Sequence, residues 1–66
     1  MAGEEAKKFL EEGNRLYKEG KYQEALESFD KALAFDPRLA AAWYNRGNAL
    51  AKLGEYQEAV ESYDKA

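Results

Sequence analysis

The sequence predicts an all-α fold: an α-solenoid of two tandem antiparallel helix–turn–helix repeats. Three observations carry that prediction. First, the second half repeats the first at an offset of 34 residues: laying Ala6–Ala32 over Ala40–Ala66 gives 27 pairs, of which 15 are identical. The identities include Gly13/Gly47, Asn14/Asn48, Leu16/Leu50, Gly20/Gly54, Tyr22/Tyr56, Ala25/Ala59 and Ala32/Ala66, while Phe9/Trp43, Leu26/Val60 and Phe29/Tyr63 keep their shape class. A fixed period of this length marks architectures in which each unit buries its apolar face against a neighbour. Second, the apolar residues inside each unit recur at helical spacing. Third, glycines and one proline stand where helices must stop. Residues 1–66 are therefore expected to form a single domain, with repeat one at about 6–39 and repeat two at about 40–66.

The first helix is expected from about Glu4 to Glu19, with Phe9, Gly13, Leu16 and Tyr17 on one stripe. Gly20 ends it, because glycine adopts the positive φ of a helix stop without a Cβ clash. The second runs from about Tyr22 to Phe35, with Tyr22, Ala25, Leu26, Phe29, Ala32 and Leu33 inward, and Asp36-Pro37 closes it. The third spans about Leu39 to Leu53 along Trp43, Gly47, Leu50 and Ala51, and stops at Gly54. The fourth opens at Tyr56 with Ala59, Val60, Tyr63 and Ala66 on its apolar side; its counterpart continued through Leu33, Ala34 and Phe35, so repeat two is read as truncated before its second helix ends. Connections this short make successive helices antiparallel neighbours.

Small residues set the packing. Glycine inside a helix costs about 1 kcal/mol relative to alanine, so Gly13 and Gly47 on the apolar stripes imply close backbone approach. Phe9, Trp43, Tyr22, Tyr56, Phe29 and Tyr63 are expected to fill the space beside them. Glu27→Lys31 and Glu61→Lys65 have the spacing of favourable i,i+4 ion pairs.

Composition narrows the function. At 66 residues the core is modest, and a chain of this size buries only roughly 60% of the surface it exposes unfolded. There is no cysteine and no histidine, so disulfides, thiolate metal sites and the commonest general base are all missing. Ten basic and thirteen acidic residues are interspersed, for a net charge of −3. That balance argues against nucleic acid as a partner, since nucleic acid needs clustered positive charge. No apolar run has the length of a membrane span and no signal peptide precedes the first helix, so a cytoplasmic location is the default expectation and no membrane partner is expected.

The unit carries W-Y-N-R-G-N-A-L at 43–50, G-E-Y-Q-E-A at 54–59, Y-D-K-A at 63–66 and D-P at 36–37. In this it resembles the tetratricopeptide repeat, over Ala6–Ala66. The resemblance implies a right-handed superhelical twist and a role in protein–protein interaction. Peptides or helices would dock in a concave groove lined by the first helix of each repeat. On that geometry the groove residues are Lys7, Leu10, Asn14, Tyr17 and Lys18, then Ala41, Tyr44, Asn48, Ala51 and Lys52. Asparagine can grip a peptide backbone through donor and acceptor, lysine can meet a carboxylate, and tyrosine offers rigid amphipathic area. The alternative is that these are ordinary solvent-facing residues of an idealised repeat. Some members of the family clamp the C-terminal carboxylate of heat-shock chaperones. Asn14 and Asn45 stand where two clamp asparagines would be, but Leu10 replaces the expected lysine, so a clamp here is partial.

Two departures from the family pattern stand out. The residue before the small glycine is often apolar in the family, whereas here it is Glu12 and Arg46; stacking is expected to pair those opposite charges. The fourth helix also has no third repeat or polar cap to cover it. That ending fits an excerpt, an engineered or consensus-like module, or a piece meant to self-associate. Two periods make 68 residues, so head-to-tail stacking of copies would continue the phase with a two-residue gap and put Met1, 34 residues before Phe35, at an apolar slot. Such heterologous contact generates an open array, or a ring if the rotation closes.

Catalytic readings fail on composition. Ser28 and Ser62 have no histidine to activate them. The carboxylates Glu4, Glu5, Glu11, Glu12, Glu24, Glu27, Glu55, Glu58 and Glu61 read as solvated helix faces, with no metal site. No phosphate-binding glycine loop is present. Trp43 and the tyrosines, at helical spacing, read as core rather than as a stacking platform for bases. The chain is thus expected to be a non-catalytic interaction or scaffold module without cofactors, whose partners are proteins or peptides. One reading is self-association into homo-oligomers through Tyr56, Val60, Tyr63 and Ala66. The other is a monomeric adaptor that binds peptide at Leu10, Asn14, Tyr17, Lys18, Tyr44, Asn45, Asn48 and Lys52.

Overall fold

The structure, a computed structural model, describes residues 2–66. It contains four helices, α1 (Ala2–Lys18), α2 (Tyr22–Phe35), α3 (Ala40–Lys52) and α4 (Tyr56–Lys65), and no strand among the described residues. The expected apolar slot for Met1 lies outside those residues.

Helix ends follow from local chemistry. Glu4 and Glu5 in the first turn of α1, and Arg15 and Lys18 in its last, complement the helix dipole. α1 begins two residues before the expected Glu4, because nothing at Ala2-Gly3 blocks the helix from extending backwards. Gly20 and Gly54 have φ of 79° and 82°. Around each, two bonds close the helix end: Lys21 N–H to Leu16 O at 2.9 Å with Gly20 N–H to Tyr17 O at 3.0 Å, and Glu55 N–H to Leu50 O at 2.8 Å with Gly54 N–H to Ala51 O at 3.0 Å. This doubled closure satisfies carbonyls the helix would otherwise leave open. Between α2 and α3 the chain turns over Pro37. Leu39 N–H donates to Asp36 O, Arg38 N–H to the Asp36 carboxylate, and Trp43 Nε1–H reaches back to Pro37 O at 2.8 Å.

α1 packs on α2 and α3 on α4 as two antiparallel hairpins, α2 against α3 joins them, and α1 meets α3 only slightly. The result is a slab of 34 × 25 × 13 Å. Its core lies around α2: Leu16, Ala25, Phe29 and Ala49 form one cluster, and Ala32, Leu33 and Ala42 another, with Leu10 packed against both. α3 therefore contributes two small residues, Ala42 and Ala49, seven positions apart on one face, and α2 lies close against them.

The glycines are explained by rings rather than by backbone meeting backbone. A Cβ on Gly13 would sit 2.5 Å from Phe29 Cε1, and one on Gly47 would sit 2.6 Å from Tyr63 Cε1. In each hairpin the second helix sets an aromatic ring against the bare backbone of the first.

Three expectations are corrected. Arg46 does not pair with Glu12. Its Nε donates to Asp30 Oδ1 and its NH1 to Ser62 Oγ, both at 2.6 Å, because α3 leans on α2 and α4 and is nearly out of reach of α1. Among the described residues the ion pairs are this one, Arg15–Glu19 and Lys21–Glu19, so Glu27–Lys31 and Glu61–Lys65 do not form. Lys31 Nζ instead lies 5.6 Å from the Phe9 ring centroid and Lys65 Nζ 4.8 Å from that of Trp43, where ring faces compete with solvated carboxylates. Finally, Tyr56 is exposed rather than core, while Tyr44, expected in the groove, is exposed too, with its ring beside that of Tyr63.

Candidate interaction surfaces

Two surfaces collect the residues singled out from the sequence. The first is the groove. Asn14 and Tyr17 from α1 and Asn45 and Asn48 from α3 line a hollow of about 40 Å³. Asn45 Nδ2 donates to Asn14 Oδ1 at 2.8 Å, stitching the two hairpins together. The Tyr63 hydroxyl donates to Asn48 Oδ1 at 2.5 Å. These two bonds use the oxygens of Asn14 and Asn48. The Nδ2 groups of those two residues and the oxygen of Asn45 are not consumed by them, so the hollow offers donors and an acceptor side by side.

Tyr17, which lines the hollow, also stands edge-on to Tyr22 with centroids 5.2 Å apart. The remaining groove candidates are placed elsewhere. Leu10 packs into both core clusters. Tyr44 leans on Tyr63 at 5.6 Å. Lys18 borders a shallow depression along α1 with Glu11, Asn14, Arg15 and Glu19, and Lys52 is exposed at the end of α3. Glu11, Arg15 and Glu19 were not singled out as site residues, although their 4-residue steps already place them on one helix face with Lys18.

The second surface is the outer face of α4. Tyr56, Val60 and Tyr63, at i, i+4 and i+7, are 69%, 57% and 37% exposed. Their counterparts in α2 are covered: Tyr22 and Leu26 are half-buried, and Phe29 is 0% exposed in the cluster that includes Ala49 of α3. Leu53, also exposed, was not singled out; the signal was there, since it stands where repeat one has Glu19. Ala66, just past the end of α4, is exposed. Partial burial, with Tyr44 and then Tyr17 nearby, raises the Tyr63 hydroxyl above its ordinary pKa of 10.0. Tyr63 therefore holds its proton, and with it the bond to Asn48, into alkaline solution.

No described helix is long and apolar enough to cross a membrane. A search of curated proteins gives no match. The family model described as TPR repeat matches residues 13–54, more than half of the chain. That stretch runs from the glycine under Phe29 to the second positive-φ glycine and holds both α2 and α3. The four-helix architecture and this match together place the chain in the TPR repeat family, whose members are generally non-catalytic modules of protein–protein interaction.

Proposed function

We propose that this chain is an interaction module that self-associates, and that the outer face of α4 is its contact surface. One observation carries this reading: Val60 and Tyr63, with Tyr56 beside them, are exposed, whereas 34 residues earlier Leu26 and Phe29 are packed in the cluster that takes in Ala49 of the next hairpin. An apolar stripe of this kind on a chain this small favours association, since its burial removes aromatic area from water. Molar mass by light scattering on a sizing column, over a wide concentration range, tests it. Mass should rise with concentration, and Val60→Glu should hold the chain at its monomer mass while circular dichroism stays helical. A wild-type chain that remains monomeric throughout would reject this reading.

The groove supports a second one, a peptide adaptor. The observation in its favour is the hollow where Asn14, Asn45 and Asn48 keep donors and an acceptor beside Tyr17. An extended peptide backbone presents the matching groups.

A further inference from the structure

We infer that the occupant of the α4 face is the same face of a second copy, with α4 antiparallel on α4 about a two-fold axis, and not the α1 end of the next copy in an array. This rests on the self-association reading above and adds its geometry.

The junction inside the chain shows what a hairpin must offer to stack on this kind of surface. α3 meets α2 with Ala42 and Ala49, both 0% exposed, and with Arg46 bonded to Asp30. Thirty-four residues earlier, α1 carries Lys8 for Ala42, Glu12 for Arg46 and Arg15 for Ala49. Stacking α1 of another copy on α4 would thus press two cations into an apolar stripe. It would also set Glu12 against Asp64, the counterpart of Asp30, so that an attraction becomes a like-charge contact. Burying unpaired charge is among the costliest things an interface can do. In the monomer these side chains are already settled: Lys8 lies by the Phe9 ring, Arg15 pairs with Glu19, and both are exposed.

The α4 face is compatible with itself. With Val60 on the axis of an antiparallel pair, Tyr56 of each copy lies toward Tyr63 and Asp64 of the other. Glu58 and Glu61 stand more than a quarter turn off the stripe, so no two carboxylates are brought together. An isologous contact of this kind closes at two copies, whereas a heterologous one propagates. One ten-residue helix is a small interface, so the dimer is weak and needs high protein concentration.

The chain has no cysteine, so V60C and R15C introduce single, unambiguous thiols. The inference expects light-scattering mass to level off at twice the 7.5 kDa of the chain. It also expects mild oxidation to join V60C to itself, since an α4 pair brings the two Val60 positions within disulfide reach. Head-to-tail stacking would instead place Val60 near Arg15, as Leu26 lies near the cluster of Ala49. Mass growing beyond the dimer, or V60C joining R15C in a mixture in preference to itself, would overturn the two-fold arrangement and leave self-association standing. A strict monomer that forms neither cross-link would overturn both.

Discussion

The two hairpins are near-copies in sequence, yet one is a filled core and the other half of one. In α1–α2 the Phe29 ring lies on Gly13 and is fully buried, because α3 closes over it with Ala49. In α3–α4 the Tyr63 ring lies on Gly47 in the same way, but Tyr63 is 37% exposed. The local rule, ring on glycine, is written into each repeat. The burial that makes the rule stabilising comes from the neighbour. Phe29/Tyr63 and Leu26/Val60 follow this difference: the outer copy has a hydroxyl where the inner has none, and that hydroxyl finds Asn48.

The largest effect should come from cutting out the ring in each hairpin. Phe29→Ala empties a fully enclosed site and should cost about 3–5 kcal/mol, which is comparable to the stability of a domain this small. Tyr63→Ala removes a ring that water already touches, together with one hydrogen bond, and should cost about 1–2 kcal/mol. Urea titration at low protein concentration, where association is suppressed, measures both. Equal losses would mean that the neighbour contributes nothing to the value of the ring.

Adding a methyl under each ring sharpens the same contrast. Gly13→Ala gains about 1 kcal/mol of helix propensity, but forces its Cβ into a Phe29 ring that has nowhere to go. Overpacking of about 1–3 kcal/mol should leave it net destabilised. Gly47→Ala meets a Tyr63 ring that can swing toward solvent, so gain and loss should nearly cancel. At roughly 4–8 °C per kcal/mol, thermal melts resolve the difference. A Gly47→Ala melt as low as that of Gly13→Ala would show Tyr63 to be held as firmly as Phe29.

How much of this was legible in the sequence varies from residue to residue. α2 was readable to both ends, Tyr22 and Phe35, because Gly20 precedes it and Asp36-Pro37 follows. The start of α1 was not, since Ala2-Gly3 carries no capping side chain. The glycine–aromatic stacking was half legible: a small residue on an apolar stripe announces close approach, but not which group approaches. In the groove, the spacing of Asn14, Asn45 and Asn48 was readable, whereas their bonds to one another and to Tyr63 depend on how the hairpins lean. The partner of Arg46 was misread for the same reason. Opposite charges at equivalent repeat positions suggested Glu12, but the side chain of α3 reaches α2 and α4, and no one-dimensional period encodes that direction.

That correction makes the next test. Arg46 ties α3 to the other hairpin through Asp30 and to α4 of its own hairpin through the buried Ser62 hydroxyl. Arg46→Met should cost about 1–2 kcal/mol, mostly from the two lost bonds. A double-mutant cycle with Asp30→Asn should return a coupling of about 0.5–1 kcal/mol, small because Asp30 is half-exposed and screened, and one with Glu12→Gln should return none. Coupling to Glu12 equal to that with Asp30 would restore the contact that the fold denies.

The smallest effect lies at the hydroxyl that distinguishes the outer ring from the inner one. The pKa of Tyr63 is raised in the folded chain, by partial burial first and by Tyr44 and Tyr17 after it, so the native state keeps this proton longer than the unfolded chain does. Stability from this group is therefore complete below the unfolded value of about 10 and fades as pH rises through the higher folded value, where the bond to Asn48 loses its donor. The ring is more than one-third exposed, so solvent screening keeps the change slight. Tyr63→Phe should abolish this component of the alkaline loss while lowering stability modestly at neutral pH, as urea titrations at neutral and at alkaline pH measure. If the alkaline loss is unchanged in Tyr63→Phe, it does not come from this hydroxyl, and the outer ring is tied to Asn48 more loosely than the 2.5 Å bond implies.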